Sequence, residues 1–294
     1  MFGFRSDGKK AKDISPYFKL MPHIMKTRSD AQVYYTEDVP IAGMDNYINK
    51  KAEEGIKISY MHIIYTGIVR LLAERPQLNK FVMNGITYNR DGIHVSLVIK
   101  KEMTDDGTET TIKLPFTGTE NIFEIKEKLD DAIVNNKDIG QSNDTDFIAK
   151  VLSIVPNFLI KFLVGLLKFL DKRGILPKAI IKASPFHSSA FLTNVASLGI
   201  DAIYHHIYDF GTTGIFLAMG KKKKSYIYDD DTFKEEKCIS LAFVGDERIC
   251  DGFYFASSMK SFKKYLKKPE LLEEHFSNEK KQQNVVVEAK EVVV

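Results

Sequence analysis

The hydrophobic pattern changes rhythm along the chain, and each change predicts an element. Met61, Ile64, Ile68, Leu71 and Leu72 recur at helical spacing; Ser59 stands where an N-cap belongs and Pro76 ends the run, so the pattern predicts a helix over 59–75. Ser15-Pro16 opens a helical segment over 15–25, a β-rich run with two adjacent tyrosines covers 31–39, and a second helix over 44–54 stops at Gly55. From 86 to 116 the period shortens to two: Ile93, Val95, Leu97 and Ile99 alternate with partners of the other face, and Asp105-Asp106-Gly107 marks a hairpin reversal into 110–114. Helical spacing returns over 122–135, a polar loop is predicted over 136–144, and a helix over 253–266 is followed by a closing segment to Phe276.

The segment 147–170 is the most apolar of the chain. Its polar or small positions, Lys150, Ser153, Asn157, Lys161, Gly165, Lys168 and Lys172, fall three or four residues apart and form one narrow stripe on a helix kinked or restarted at Pro156. Two mid-segment lysines would each cost about 2.5–3.5 kcal/mol at a bilayer centre, which argues against a span over 151–170. Packing, in a core helix pair or a contact between subunits, is the favoured reading over attachment to a membrane surface.

Composition narrows the function classes. With 294 residues, 44% hydrophobic and 28% charged, the chain has the means to bury a core and lacks the signature of disorder. Forty-two Lys+Arg against 39 Asp+Glu leave +3, too balanced for a protein whose affinity rests on neutralising nucleic-acid phosphates. Cys238 and Cys250 make no Cys-x-x-Cys or disulfide framework, and the first residues read as no export leader, so a cytoplasmic protein is expected. His205 and His206, adjacent in an expected strand, should point to its opposite sides, and neither they nor His187 have an acidic or cysteine partner at ligand spacing, so no metal site is expected. Lys221 to Lys224 read as a solvated turn, with contact to phosphates as the alternative.

Four motifs carry a resemblance: Pro76-x-Leu78-Asn79 after a helix, Thr193-Asn194 leading to Ser197-Leu198-Gly199, the apolar run from Gly214 to Gly220, and Asp246-Glu-Arg-Ile-Cys-Asp-Gly252 before an amphipathic helix. Over about 17–276 the chain resembles the acyltransferase catalytic domain of 2-oxoacid dehydrogenase complexes and its relative chloramphenicol acetyltransferase, and most of all the freestanding clostridial-type members without a lipoyl domain. The resemblance implies an α/β fold, a two-layer α+β sandwich in which helices cover a mixed β-sheet. It also implies one catalytic domain over 1–276 with a mobile tail over 277–294, and a homotrimer with active sites at subunit boundaries. The implied reaction transfers an acyl group between coenzyme A and a small thiol or hydroxyl acceptor, with acyl-CoA as substrate and no metal. A non-catalytic homotrimer that binds acyl-CoA or serves as a scaffold is the alternative.

The resemblance also assigns candidate residues. Asp251 and Gly252 match the family's Asp-Gly, and Asp246 and Arg248 match the residues flanking its basic histidine, but that histidine is replaced by Glu247. An unperturbed Glu is a weaker base than His by about 2 pKa units, roughly 3 kcal/mol of driving force, a gap that burial in an apolar channel narrows. Thr193 is the first candidate for stabilising an oxyanion, Ser188 and Ser189 are nearby alternatives, Asn194 belongs to the same stretch, and His187 is a candidate displaced base. Arg28 is a candidate partner for Asp251.

Overall fold

The computed structural model describes residues 5–100, 109–137, 155–229 and 232–277. The 105–107 reversal, the loop after Lys137, most of the tail and the first part of the 147–170 segment lie outside these.

Among the described residues, helices α1 (Pro16–Ile24), α2 (Ala42–Glu53), α3 (Tyr60–Glu74), α4 (Ile122–Lys137), α5 (Asn157–Arg173), α6 (Lys178–Ala183) and α7 (Gly252–Lys267) are interspersed with nine strands. A six-stranded mixed sheet runs in the order β2 (Gln32–Pro40), β9 (Thr232–Asp246), β8 (Ile215–Asp229), β7 (Ala190–Asn194), β5 (Ile93–Lys100) and β6 (Glu109–Phe116). Strand β7 is parallel to both neighbours and the other pairs are antiparallel. A small antiparallel sheet joins β1 (Gly8–Lys10), β4 (Ile86–Arg90) and β3 (Lys80–Met83). The mixed sheet with covering helices is the expected architecture. Strand β3 was not anticipated: four residues are too few to show a period, and the turn behind it is made by Asn84 and Gly85, both at positive φ.

Helix α3 starts where Ser59 accepts from the His62 amide while the His62 ring accepts from the Ser59 amide, a reciprocal cap. Its residues 62–72 are all buried. Strand alternation sorts side chains onto two faces. Ala190, Leu192, Ile215, Leu217, Leu241 and Phe243 join the core beneath α2, α3, α4 and α7. Phe191, Phe216 and Val244 face the other way, where the irregular segment 200–213 crosses them with Ile207 and Tyr208. That crossing needs Gly220: a Cβ there would come within 2.1 Å of the Ala202 amide nitrogen, where the Lys221 amide bonds Ile200.

Three expectations need correction. Lys221 to Lys224 form no turn; they continue β8, where Lys223 reaches Asp38 and Asp201, and Lys224 reaches Glu235. His205 and His206 lie outside any strand, and their rings stack 4.6 Å apart rather than pointing to opposite sides. The apolar helix α5 is not in the core: of its side chains only Asp171 is buried. Periodicity showed that α5 is amphipathic, but not what covers it.

Candidate functional site

The Asp246–Gly252 motif is a sharp exit from β9. Asp246 is buried, and its carboxylate takes two bonds from the Arg248 guanidinium, at 2.7 and 2.6 Å, as well as the Arg248 amide. This bidentate pair folds residues 247–249 into a single 3-10 turn with Arg248 and Ile249 inside. The residue between the two ion-paired side chains is thereby turned outward. Glu247 is exposed and, among the described residues, its carboxylate has no hydrogen-bond or ion-pair partner.

Asp251 caps α7, accepting from the Tyr254 amide at 2.7 Å. Arg28 is therefore not its partner. Arg28 instead lies 4.0 Å from Asp246 and donates to the carbonyls of Val82 and Asp209. Burial pulls its pKa down to about 10 against the opposing charge of Asp246. Its Nε is buried without a hydrogen bond. Beside this turn opens a cleft of about 520 Å³ whose charged lining is mostly cationic: Lys26, Arg28, Lys172 and Arg248 against Asp209, with His23 among the other lining residues. Cys250, on the inner side of the turn, has its thiol pushed up to about 12 by burial, which leaves it protonated and inert at neutral pH.

Thr193 and Asn194 end β7. Thr193 shares the face of Phe191 and is half-buried. Asn194 accepts from the Ala196 amide and its carbonyl takes the Ser197 hydroxyl, a local turn that directs the chain into the 200–213 crossing. Around it, Leu198, Ile200, Ile203 and Tyr204 are exposed, and Tyr204 stacks edge-on with exposed Tyr34 of β2.

Register fixes how far apart the two motifs lie. Ala190 pairs with Ile215, which pairs with Gly245. Thr193 lies three residues past that line in one direction and Glu247 two in the other, so they stand roughly 15 Å apart along the strands, with about 10 Å of sideways offset. Within one chain they do not meet.

Ser188 and Ser189 lie at the opposite end of β7 from Thr193 and are buried. Ser188 bonds the Thr213 hydroxyl at 2.9 Å, and Ser189 accepts from the His94 amide at 2.9 Å. Their hydroxyls pin neighbouring segments and are not presented to a ligand. His187 is buried with both ring nitrogens engaged, by Ser184 Oγ at 2.8 Å and Asp171 Oδ2 at 3.2 Å. Burial holds its pKa below the ordinary value despite Asp171. Asp171 is lowered too, but against its burial: burial alone would raise it, and the His187 bond and Arg5, 2.7 Å away, hold it low. The cluster Arg5–Asp171–His187–Ser184 ties the N-terminal segment, the end of α5 and the approach to β7. Sequence reasoning missed Arg5 and Asp171, although Asp171 is the sole acid between 155 and 183. Among the described residues no group of three His, Cys, Asp or Glu could hold a metal ion.

Residues 182–273 match the family model described as 2-oxoacid dehydrogenases acyltransferase (catalytic domain). Among solved structures, a probable dihydrolipoamide acetyltransferase from Listeria monocytogenes 4b F2365 is similar at 16% identity and a TM-score of 0.55, over 89% of this chain and 95% of that one. The dihydrolipoamide acetyltransferase of Azotobacter vinelandii, described for the roles of a serine, a histidine and an asparagine in its mechanism, is similar at 10% identity and 0.55, over 90% and 94%. A chloramphenicol acetyltransferase is similar at 13% and 0.54, over 88% and 99%. No curated protein sequence matches. The chain has the fold of these acyltransferases, and over 182–273 it matches the acyltransferase catalytic-domain model.

Proposed function

We propose that the protein transfers an acyl group between coenzyme A and a thiol or hydroxyl acceptor, at a site made by two copies of the chain. One copy supplies Glu247 and the neighbour supplies Thr193. The observation that carries this reading is the register itself: the two motif ends lie at opposite ends of one sheet, so only a second chain brings them together. The exposed apolar residues Leu198, Ile200, Ile203, Tyr204 and Tyr34 surround the Thr193 end, as a contact between copies in a homotrimer requires.

The arrangement at Glu247 supports its role. Asp246 and Arg248 neutralise each other, and Asp251 is spent on the helix cap, so Glu247 is the one carboxylate of the motif left free. In the Azotobacter protein the histidine and asparagine under study stand four residues apart, the separation of Glu247 and Asp251 here. At the closed boundary the acceptor's thiol or hydroxyl attacks the thioester carbonyl and gives its proton to Glu247. The Thr193 hydroxyl donates to the carbonyl oxygen as it becomes an oxyanion. The attack forms the acyl–acceptor bond; collapse restores the carbonyl and breaks the acyl–sulfur bond, and Glu247 returns its proton to the departing coenzyme A thiolate. In the isolated chain Glu247 is in water; exclusion of water by the neighbour is what would make it a stronger base. The cationic cleft beside Arg28 and Arg248 suits a phosphate or carboxylate of either substrate. Two unpaired, buried cysteines suit a reducing cytoplasm.

The test is acyl transfer from acetyl-CoA to a small dithiol by the wild type and by Glu247→Gln. Turnover that falls in the variant supports the assignment, and an unchanged rate removes Glu247 from it. The carboxylate in place of histidine favours one second reading, a non-catalytic acyl-CoA-binding trimer. Calorimetry showing tight acyl-CoA binding by a wild type without turnover would select it.

A further inference from the structure

Helix α5 is the most exposed apolar element of the molecule. Phe158, Phe162 and Phe169 are 76, 64 and 49% exposed. At 3.6 residues per turn these three fall within about 40° of one another on the helix circumference. Lys161, Lys168 and Lys172 share the adjoining arc, while Ile160, Leu167 and buried Asp171 mark the side turned to the body. From 155 to 183 the charges are Lys161, Lys168, Lys172, Arg173, Lys178 and Lys182 against Asp171 alone, and Asp171 is enclosed by Arg5 and His187. The outward surface of this stretch therefore combines phenylalanines and leucines with cations and no carboxylate.

A second helix repeats the pattern. Tyr17, Leu20 and Ile24 of α1 are exposed at i, i+3 and i+7, on one helix face, and α1 contains Lys19 and His23 but no acid. Both helices contribute to the lining of the cationic cleft, α1 through Pro22 and His23 and α5 through Lys172. Among the described residues no helix is long and apolar enough to cross a membrane.

We propose that α5, assisted by α1, docks the protein onto an anionic lipid surface, with the phenylalanines in the acyl boundary and the lysines at the headgroups. The charge pattern selects this occupant. A like face of a second copy would bring lysine stripes against each other, whereas anionic headgroups neutralise every cation of the stretch. The apolar surface near Thr193 lacks this one-sided charge, since Lys223 there is paired with Asp38 and Asp201. Docking does not rest on Glu247 or on turnover.

The test is cosedimentation of the full chain with vesicles of phosphatidylcholine alone and of phosphatidylcholine mixed with phosphatidylglycerol, at low and high salt. Binding is expected to the mixed vesicles, weakened by salt. Replacing Phe158, Phe162 and Phe169 with Ser is expected to lower partitioning at least about tenfold. Lys161→Glu with Lys168→Glu should lower it and weaken its salt dependence. Because all five side chains face solvent, circular dichroism and the melting midpoint should stay at wild-type values, and Glu247→Gln should bind vesicles normally. Failure of the wild type to sediment with the mixed vesicles at low salt would overturn the proposal. So would loss of oligomeric mass by light scattering in the phenylalanine variant with vesicle binding unchanged, which would assign the face to a contact between copies.

Discussion

The two ends of the central sheet differ in how their polar groups are used. At the β9 exit nearly every charge is engaged: Asp246 with Arg248 and Arg28, Asp251 with the first turn of α7, and Glu247 alone is left over. At the β7 end the polar groups are few, Thr193 is half-buried, and the surroundings are exposed apolar side chains. One end is a rigid mount for a single carboxylate, and the other is an exposed apolar surface, which the neighbour in the proposed assembly would cover. Rigid charge pairs suit positioning of a proton acceptor, and apolar surface suits exclusion of water around it.

Several measurements break or sharpen this contrast. The largest effect is expected from Glu247→Gln, which should reduce turnover by about 10²–10⁴-fold with little change in melting temperature, since the side chain is exposed and its carboxylate has no hydrogen-bond or ion-pair partner among the described residues. Asp246→Ala should do the reverse. It leaves Arg248 and Arg28 buried with their charges uncompensated, and chemical denaturation should show a loss of about 3–5 kcal/mol. Thr193→Val, tested by steady-state kinetics, should lower kcat by about 10²–10³-fold at near-normal stability. Asp251→Ala should cost about 1 kcal/mol through the lost cap, read as a shift in denaturation midpoint, which would separate a structural aspartate from an exposed base.

The smallest effect concerns acid. His187 is held below its unfolded value by burial, so the unfolded chain binds the extra proton more readily. Its contribution is fully present above the unfolded pKa of about 6.5 and is lost as pH falls below it. Denaturation midpoints measured across that range should fall toward acid in the wild type, and less steeply in His187→Gln. An equal slope in both would show that the His187 cluster does not titrate on unfolding.

Much of this was legible in the sequence. Ser59 and Pro76 bounded α3 because a cap and a breaker act locally, and the 93–99 alternation gave β5 because one face is buried. The order of motifs gave the sheet-and-helix architecture. What depends on distant partners was not legible. Asp246 reads as part of a charged turn, yet it is buried because Arg28, far away in sequence, and Arg248 both reach it. Ser188 and Ser189 look like hydroxyl donors beside Thr193, but a strand of five residues carries them to its far end. His187 looks available until Asp171 and Ser184 occupy both its nitrogens. Lys221 to Lys224 look like a turn because lysine has low β propensity, which strand pairing with β9 overrides.

The central claim, a site shared by two chains, is tested most directly by mixing two inactive variants. Glu247→Gln and Thr193→Val chains, each defective alone, are co-expressed with different tags and assemblies carrying both are purified. If each site takes Glu247 from one chain and Thr193 from its neighbour, every trimer that carries both variants restores both residues at one of its three boundaries, and about a third of wild-type activity returns. Mixed assemblies as inactive as the separate variants would contradict the shared site.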